Sequence, residues 1–203
     1  MELQRLLADI HPDWYADIEP ALLPRAHASR IGQRLLARWL AADVAPHLFA
    51  PSPQGVARAA TRWPRAQLAA LARNLGALAF APAIRAEVRR EPVRRLRHVL
   101  GNSYLLALDQ SVWDGRVGAN VAKRLTAELD AALDGDPGSD ETLLATLDRQ
   151  GRDEVRAASE RNEPALGEWL TLLHPRETAG AAHLPEKPVT MLFMHHASRA
   201  EAA

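Results

Sequence analysis

Cysteine is absent from the 203 residues. That single absence removes a disulfide framework, Cys-ligated zinc and a thiol nucleophile together, and it fits a reducing compartment. Lysine is nearly missing too: of 25 basic residues only Lys123 and Lys187 are Lys. This bias, with abundant Ala, follows GC-rich coding and says little about mechanism. Neither sign of charge dominates, because 25 acidic residues balance the 25 basic ones. A general nucleic-acid binder needs a surplus of cations over the phosphates it neutralises, so no nucleic acid is expected as a partner. Long hydrophobic runs are lacking as well. The longest nearly apolar stretch, Leu75 to Ile84, is about half of what a bilayer crossing requires, so no membrane insertion is expected. Met1-Glu2-Leu3-Gln4-Arg5 lacks a basic region followed by an apolar core. No signal peptide is therefore expected, and the expected location is the cytoplasm.

What is present points to helices. A chain of this length is one domain or a tightly joined pair and buries roughly 70% of its unfolded surface, enough to fold without a metal. Ile31, Leu35, Leu36, Trp39 and Leu40 recur as one apolar stripe, and Leu68, Leu71, Leu75 and Leu78 form another behind Pro64. Val117, Val121, Leu125, Leu129 and Leu133 make an every-fourth-residue ladder that ends at Gly135-Asp136-Pro137-Gly138-Ser139, a loop signal. Ser139 or Asp140 can cap the next helix, through Leu143, Leu144, Leu147 and Val155, which Gly151 weakens by about 1 kcal/mol. Pro164 opens a last helix with Leu166, Trp169, Leu170 and Leu173. One run, Val189 to Met194, is strand-like but too isolated to build a sheet. Segments 48–55 and 178–188 read as loops, and the residues after His196 as frayed. The expected fold is all-α and without repeats, a single compact domain of about eight or nine short to medium helices. Residues 1–175 are expected to form the helical domain and residues 176–203 a partly flexible C-terminal segment.

The densest punctuation lies between Leu68 and Gly115. Leu68-Ala-Ala-Leu71, Leu75-Gly76-Ala-Leu78-Ala-Phe80-Ala-Pro82-Ala-Ile84-Arg85, Pro92-Val93-Arg94-Arg95-Leu96-Arg97 and Tyr104-Leu105-Leu106-Ala-Leu108 follow one another, broken by Pro82, Pro92 and Gly101-Asn102. Pro suits the first turn of a helix and nowhere later, so the spacing describes short helices that turn on each other, a scaffold more than a catalytic motif.

Catalytic and metal patterns fare poorly. The eight His run from His11 to His196 with no i, i+4 pair and Glu of the kind a helical zinc site uses; adjacent His195 and His196 point to different faces. Ser103 follows Gly101-Asn102, but Leu105 stands where a nucleophile elbow needs Gly, so Ser103 reads as a helix cap. Neither Lys follows a Gly, so no phosphate-cradling loop is present. Asp140-Glu141 and Asp153-Glu154 lie about 100° apart on a helix and read as solvated surface. No cofactor and no enzymatic activity are expected.

Charge is distributed unevenly. Arg85, Arg89, Arg90, Arg94, Arg95 and Arg97 stand against Glu87 and Glu91 alone, whereas Glu128, Asp130, Asp134, Asp136, Asp140 and Glu141 have no basic residue among them. Two readings are open. The clusters are solvated faces, paired with one another inside the molecule, or they are docking faces for different partners, where Arg's fork suits protein contacts. Trp39 and Trp169 fall on apolar stripes and read as core. Trp14 and Trp63 are the candidates for exposed interface anchors, with burial under a loop as the other reading.

A Leu-rich helix ending in Leu75-Gly76, an apolar stretch into Ile84-Arg85, a Pro-started helix and a second Leu-rich run resemble the SctK family (YscK, PscK, MxiK, OrgA) of bacterial type III secretion systems. His11-Pro12-Asp13-Trp14 with Leu22-Leu23-Pro24 is similar to that family's opening. The resemblance covers roughly residues 10 to 115 and fades over the last third. It implies a cytoplasmic, peripheral adaptor of the sorting platform. Such an adaptor binds the cytoplasmic domain of the SctD-like inner-membrane ring protein at one end and the SctQ-like pod protein at the other, and reaches the stator and ATPase through the pod. The alternatives are a small helical enzyme or ligand-binding bundle, or a chaperone or regulator that binds one partner helix.

Overall fold

The computed structural model describes residues 2–50, 63–134 and 140–201. Among them the chain forms eleven α-helices and one 3-10 turn, and no strand. The fold class is all-α; short helices such as Leu23–Ala28 and Ala81–Ala86 raise the number above the expected eight or nine. The chain divides into two compact units, Met1–Leu68 with Arg156–Ala179 and Ala69–Val155 with Gly180–Ala203. This division differs from a cut at residue 175.

In the first unit, α1 (Glu2–Asp9) buries Leu6 and Leu7, and Ile10 follows them inward. Pro12 opens the 3-10 turn Pro12–Tyr15, and His11 Nδ1 accepts from the Asp13 amide. The Tyr15 hydroxyl donates to Leu7 O at 3.0 Å, and burial pushes its ionisation above the ordinary phenol range. Next come α2 (Leu23–Ala28) and α3 (Arg30–Asp43), the latter capped by Ser29, whose hydroxyl accepts from Gly32 N at 2.9 Å. Leu36 and Leu40 of α3 are buried, but Ile31 and Leu35 are exposed and Trp39 is half-buried, so the single apolar stripe expected there is split. Pro164 stands at the start of α10 (Pro164–Leu172), whose Leu166, Trp169, Leu170 and Leu172 are buried. Glu168 on this helix accepts from Leu48 N at 2.6 Å and lies 2.6 Å from His47 Nδ1. That clasp fixes Leu48, the first residue of the expected loop, and His47 before it; residues 51–55 lie outside the described residues.

The second unit is built on α4 (Arg65–Ala79) and α9 (Asp140–Asn162), each of which contributes residues to both units. Where they cross, a Cβ on Gly76 would strike the Leu147 carbonyl and one on Gly151 the Ala72 carbonyl. Gly76 and Gly151 together therefore let the two backbones touch, which offsets the low helix propensity of Gly151. α5 (Ala81–Ala86) packs on α7 (Asn102–Leu108) and α8 (Ala119–Asp134); α6 (Arg90–Leu100) packs on α7. Gly101, at φ 51°, makes the turn between α6 and α7, a region of backbone space that favours glycine. On α8 the ladder buries Leu125, Leu129 and Leu133.

The strand-like run belongs to α11 (Glu186–Glu201). Val189, Leu192 and His196 are buried at helical spacing while Met191 and Met194 face outward, so the apolar letters serve one helix face. The helix also continues past His196 to Glu201, where fraying was expected. Pro188 sits in its first turn, so the preceding loop ends at Pro185. The loop signal 135–139, and Ser139 with it, lies outside the described residues.

Candidate partner-binding surface

α6 supplies four of the six Arg of the basic cluster, with Arg85 on α5 and Arg89 just before α6. Leu96 and Leu100 face inward, which leaves Arg90, Arg94 and Arg97 on the exposed side at spacings of four and three. Arg90 and Arg97 make no ion pair among the described residues, and Arg94 reaches only Glu91, at 3.8 Å with both side chains over 70% exposed.

The other three Arg are engaged within the unit. Arg85 donates to the carbonyls of Ala107 at 2.8 Å, Trp113 at 2.9 Å and Asp109 at 3.4 Å. It ties the end of α7 to the segment beyond, and desolvation lowers its pKa from the ordinary guanidinium value. Arg89 holds the Glu87 carboxylate at 2.6 Å and Asp130 at 2.6 Å, with Asp134 at 3.6 Å. The Arg89 hydrogen bonds are the chief reason the Glu87 carboxyl sits below its ordinary range. Arg95 donates to Asp140 at 3.0 Å and to Leu133 O at 3.0 Å.

Three of the acidic residues are thus partners of the basic cluster within this unit. Asp130 and Asp134 meet Arg89, Asp140 meets Arg95, and Glu128 lies 3.2 Å from Arg124 one turn away. A cavity of about 620 Å³ opens between Arg94, Arg95 and His98 on one side and Leu133 and Asp140 on the other. Its walls carry both signs of charge, so it favours neither anions nor cations on charge alone.

Neither candidate Trp is free. Trp63 is buried, 2% exposed, and its carbonyl accepts from Trp169 Nε1 at 3.2 Å. Trp14 is half-buried: Nε1 donates to His174 O at 2.8 Å and the Arg176 guanidinium lies 5.2 Å over the ring. Trp113 is buried in the second unit.

Two buried polar groups were not expected. Asp153 and Glu154 are 6% and 2% exposed instead of solvated. Glu154 accepts from the backbone amides of His183 at 2.9 Å and Leu184 at 3.1 Å and from Gln150 Nε2 at 2.9 Å, and so pins the loop before α11. His183 Nε2 lies 3.1 Å from Ala79 O. Ser103 does not cap its helix; its hydroxyl donates to Asn74 Oδ1 at 2.7 Å, and Asn74 Nδ2 lies 2.9 Å from His196 Nε2. Asn74 occupies the position between Ser and His that a base would need, so the row joins α4, α7 and α11 and does not activate the serine.

Among the described residues no three His, Asp or Glu side chains converge as a metal site requires, and no helix is long and apolar enough to cross a membrane. No protein-family model, curated protein or solved structure matches the chain. What the fold and surface define is a helical protein with an exposed guanidinium row on α6.

Proposed function

We propose that the chain is an adaptor of a bacterial type III secretion system, linking an SctD-like inner-membrane ring protein to an SctQ-like pod protein of the sorting platform. The reading rests on the sequence resemblance of residues 10–115. The observation that supports docking is the exposed row Arg90, Arg94 and Arg97, on a helix whose remaining guanidinium, Arg95, is held by Asp140. In this role the work is geometric: a helical block sets the distance and angle between ring and platform, the pod carries the link on to stator and ATPase, and no bond is made or broken. The protein acts at the cytoplasmic face of the inner membrane, without inserting.

Deletion of the gene should abolish platform assembly and effector export. No single His, Ser, Asp or Glu substitution should copy that loss while fold and partner binding persist, since an enzyme loses orders of magnitude in rate with one catalytic side chain and an adaptor does not. The cavity beside Arg94 and His98 favours a second reading, a ligand-binding bundle. A folded, partner-binding His98→Ala variant that fails in export would put that second reading first.

A further inference from the structure

α3 carries a three-fold pattern, Arg30-Ile31, Arg34-Leu35 and Arg38-Trp39. Four-residue spacing sets the three guanidinium groups in one row and the three apolar side chains in the row beside it. The opposite side of the helix is used inside the first unit, where Leu36 and Leu40 are buried. Among the described residues the outward side is open: Ile31 is 74% and Leu35 62% exposed, and Trp39 is half-buried. Arg30, Arg34 and Arg38 are exposed and make no hydrogen bond or ion pair among the described residues. Single exposed apolar residues are ordinary; a row of them flanked by unneutralised Arg is an interface pattern.

We propose that this face of α3 docks an amphipathic helix of a partner protein, one whose carboxylates recur every fourth residue beside an apolar row. Charge selects the occupant. The exposed rows contain no carboxylate; the helix's one acidic residue, Asp43, is at its C-terminal end. A second copy of the chain would bring six Arg into one interface with no acid to meet them, which costs free energy. An anionic membrane is a poorer fit, because only Ile31 and Leu35 are well exposed and interfacial binding scales with the apolar area inserted. The planar guanidinium fork matches a carboxylate. Nothing in this inference depends on the secretion reading: it stands or falls with the α3 face.

The test uses the full chain and a fluorescein-labelled helical peptide with Glu at every fourth position and Leu beside each Glu, followed by fluorescence anisotropy. The expected result is saturable binding that weakens with added salt and falls by about tenfold or more in both R30E/R34E/R38E and I31S/L35S. Circular dichroism should show both variants folded, and a peptide with Lys in place of Glu should not bind. The proposal is overturned if the Glu peptide fails to bind, or binds both variants as well as it binds the native chain. Binding to phosphatidylglycerol vesicles in place of the peptide overturns it too, as does self-association that I31S/L35S abolishes.

Discussion

The basic residues of α6 and those of α3 look alike as letters and differ in what they touch. In the α6 region the densest Arg cluster of the chain is half spent: Arg85 holds three carbonyls, Arg89 spans Glu87, Asp130 and Asp134, and Arg95 holds Asp140. On α3 three Arg at even spacing touch no acid among the described residues. Local charge density therefore does not identify a docking face; the fraction of that charge left unpartnered does. Engaged charges hold the fold, and unengaged ones are available to a partner.

This contrast can be broken by mutation. The largest loss should come from Glu154→Ala, which leaves the His183 and Leu184 amides without their acceptor at about 1–3 kcal/mol each. Urea unfolding should show the loss, and hydrogen exchange should localise it to residues 181–184. Arg85→Ala should cost less, about 1–2 kcal/mol, because the Arg85 side chain is partly exposed and water can enter the space it leaves beside the three carbonyls. An unchanged unfolding midpoint would mean that Arg85 is not the tie described.

Arg89→Ala removes an exposed junction and should cost less again. Its signature is in the pH dependence. The Glu87 carboxyl is depressed in the folded chain, so its contribution is present above the unfolded value of about 4.3 and is lost as pH falls through the depressed value. In Arg89→Ala that acid-side loss should shrink; an identical pH profile would contradict the junction. Smallest per site, R30E/R34E/R38E should change stability by no more than about 0.5 kcal/mol at each position, since these side chains hold nothing among the described residues. A large loss there would erase the contrast between the two helices.

Much of the fold was legible because burial followed one helix at a time. The ladder Leu125, Leu129 and Leu133 and the Pro-started α10 needed no knowledge of distant contacts. The misses share a cause in partners far along the chain. Asp153-Glu154 look solvated until the loop at 181–184 arrives to satisfy Glu154, and Ser103 looks like a cap until Asn74 Oδ1 accepts its hydrogen bond. Val189–Met194 looks strand-like because Val and Thr stand together, yet the buried positions keep helical spacing. Of the candidate site, the proximity of the two charge clusters was foreseeable only as one of two readings. The α3 rows stand in plain letters as the repeat Arg30-Ile31, Arg34-Leu35, Arg38-Trp39, but a single-stripe reading of the helix turns Ile31 and Leu35 inward with Leu36 and Leu40 and so hides them.

The adaptor role is tested most directly by reconstitution. The purified chain is mixed with the cytoplasmic domain of an SctD-like ring protein and with an SctQ-like pod protein, and the complexes are sized by light scattering on a gel-filtration column. One species containing all three proteins is expected, and R90E/R94E/R97E should release one partner while it keeps the other. If the folded native chain co-elutes with neither protein, the adaptor reading is contradicted.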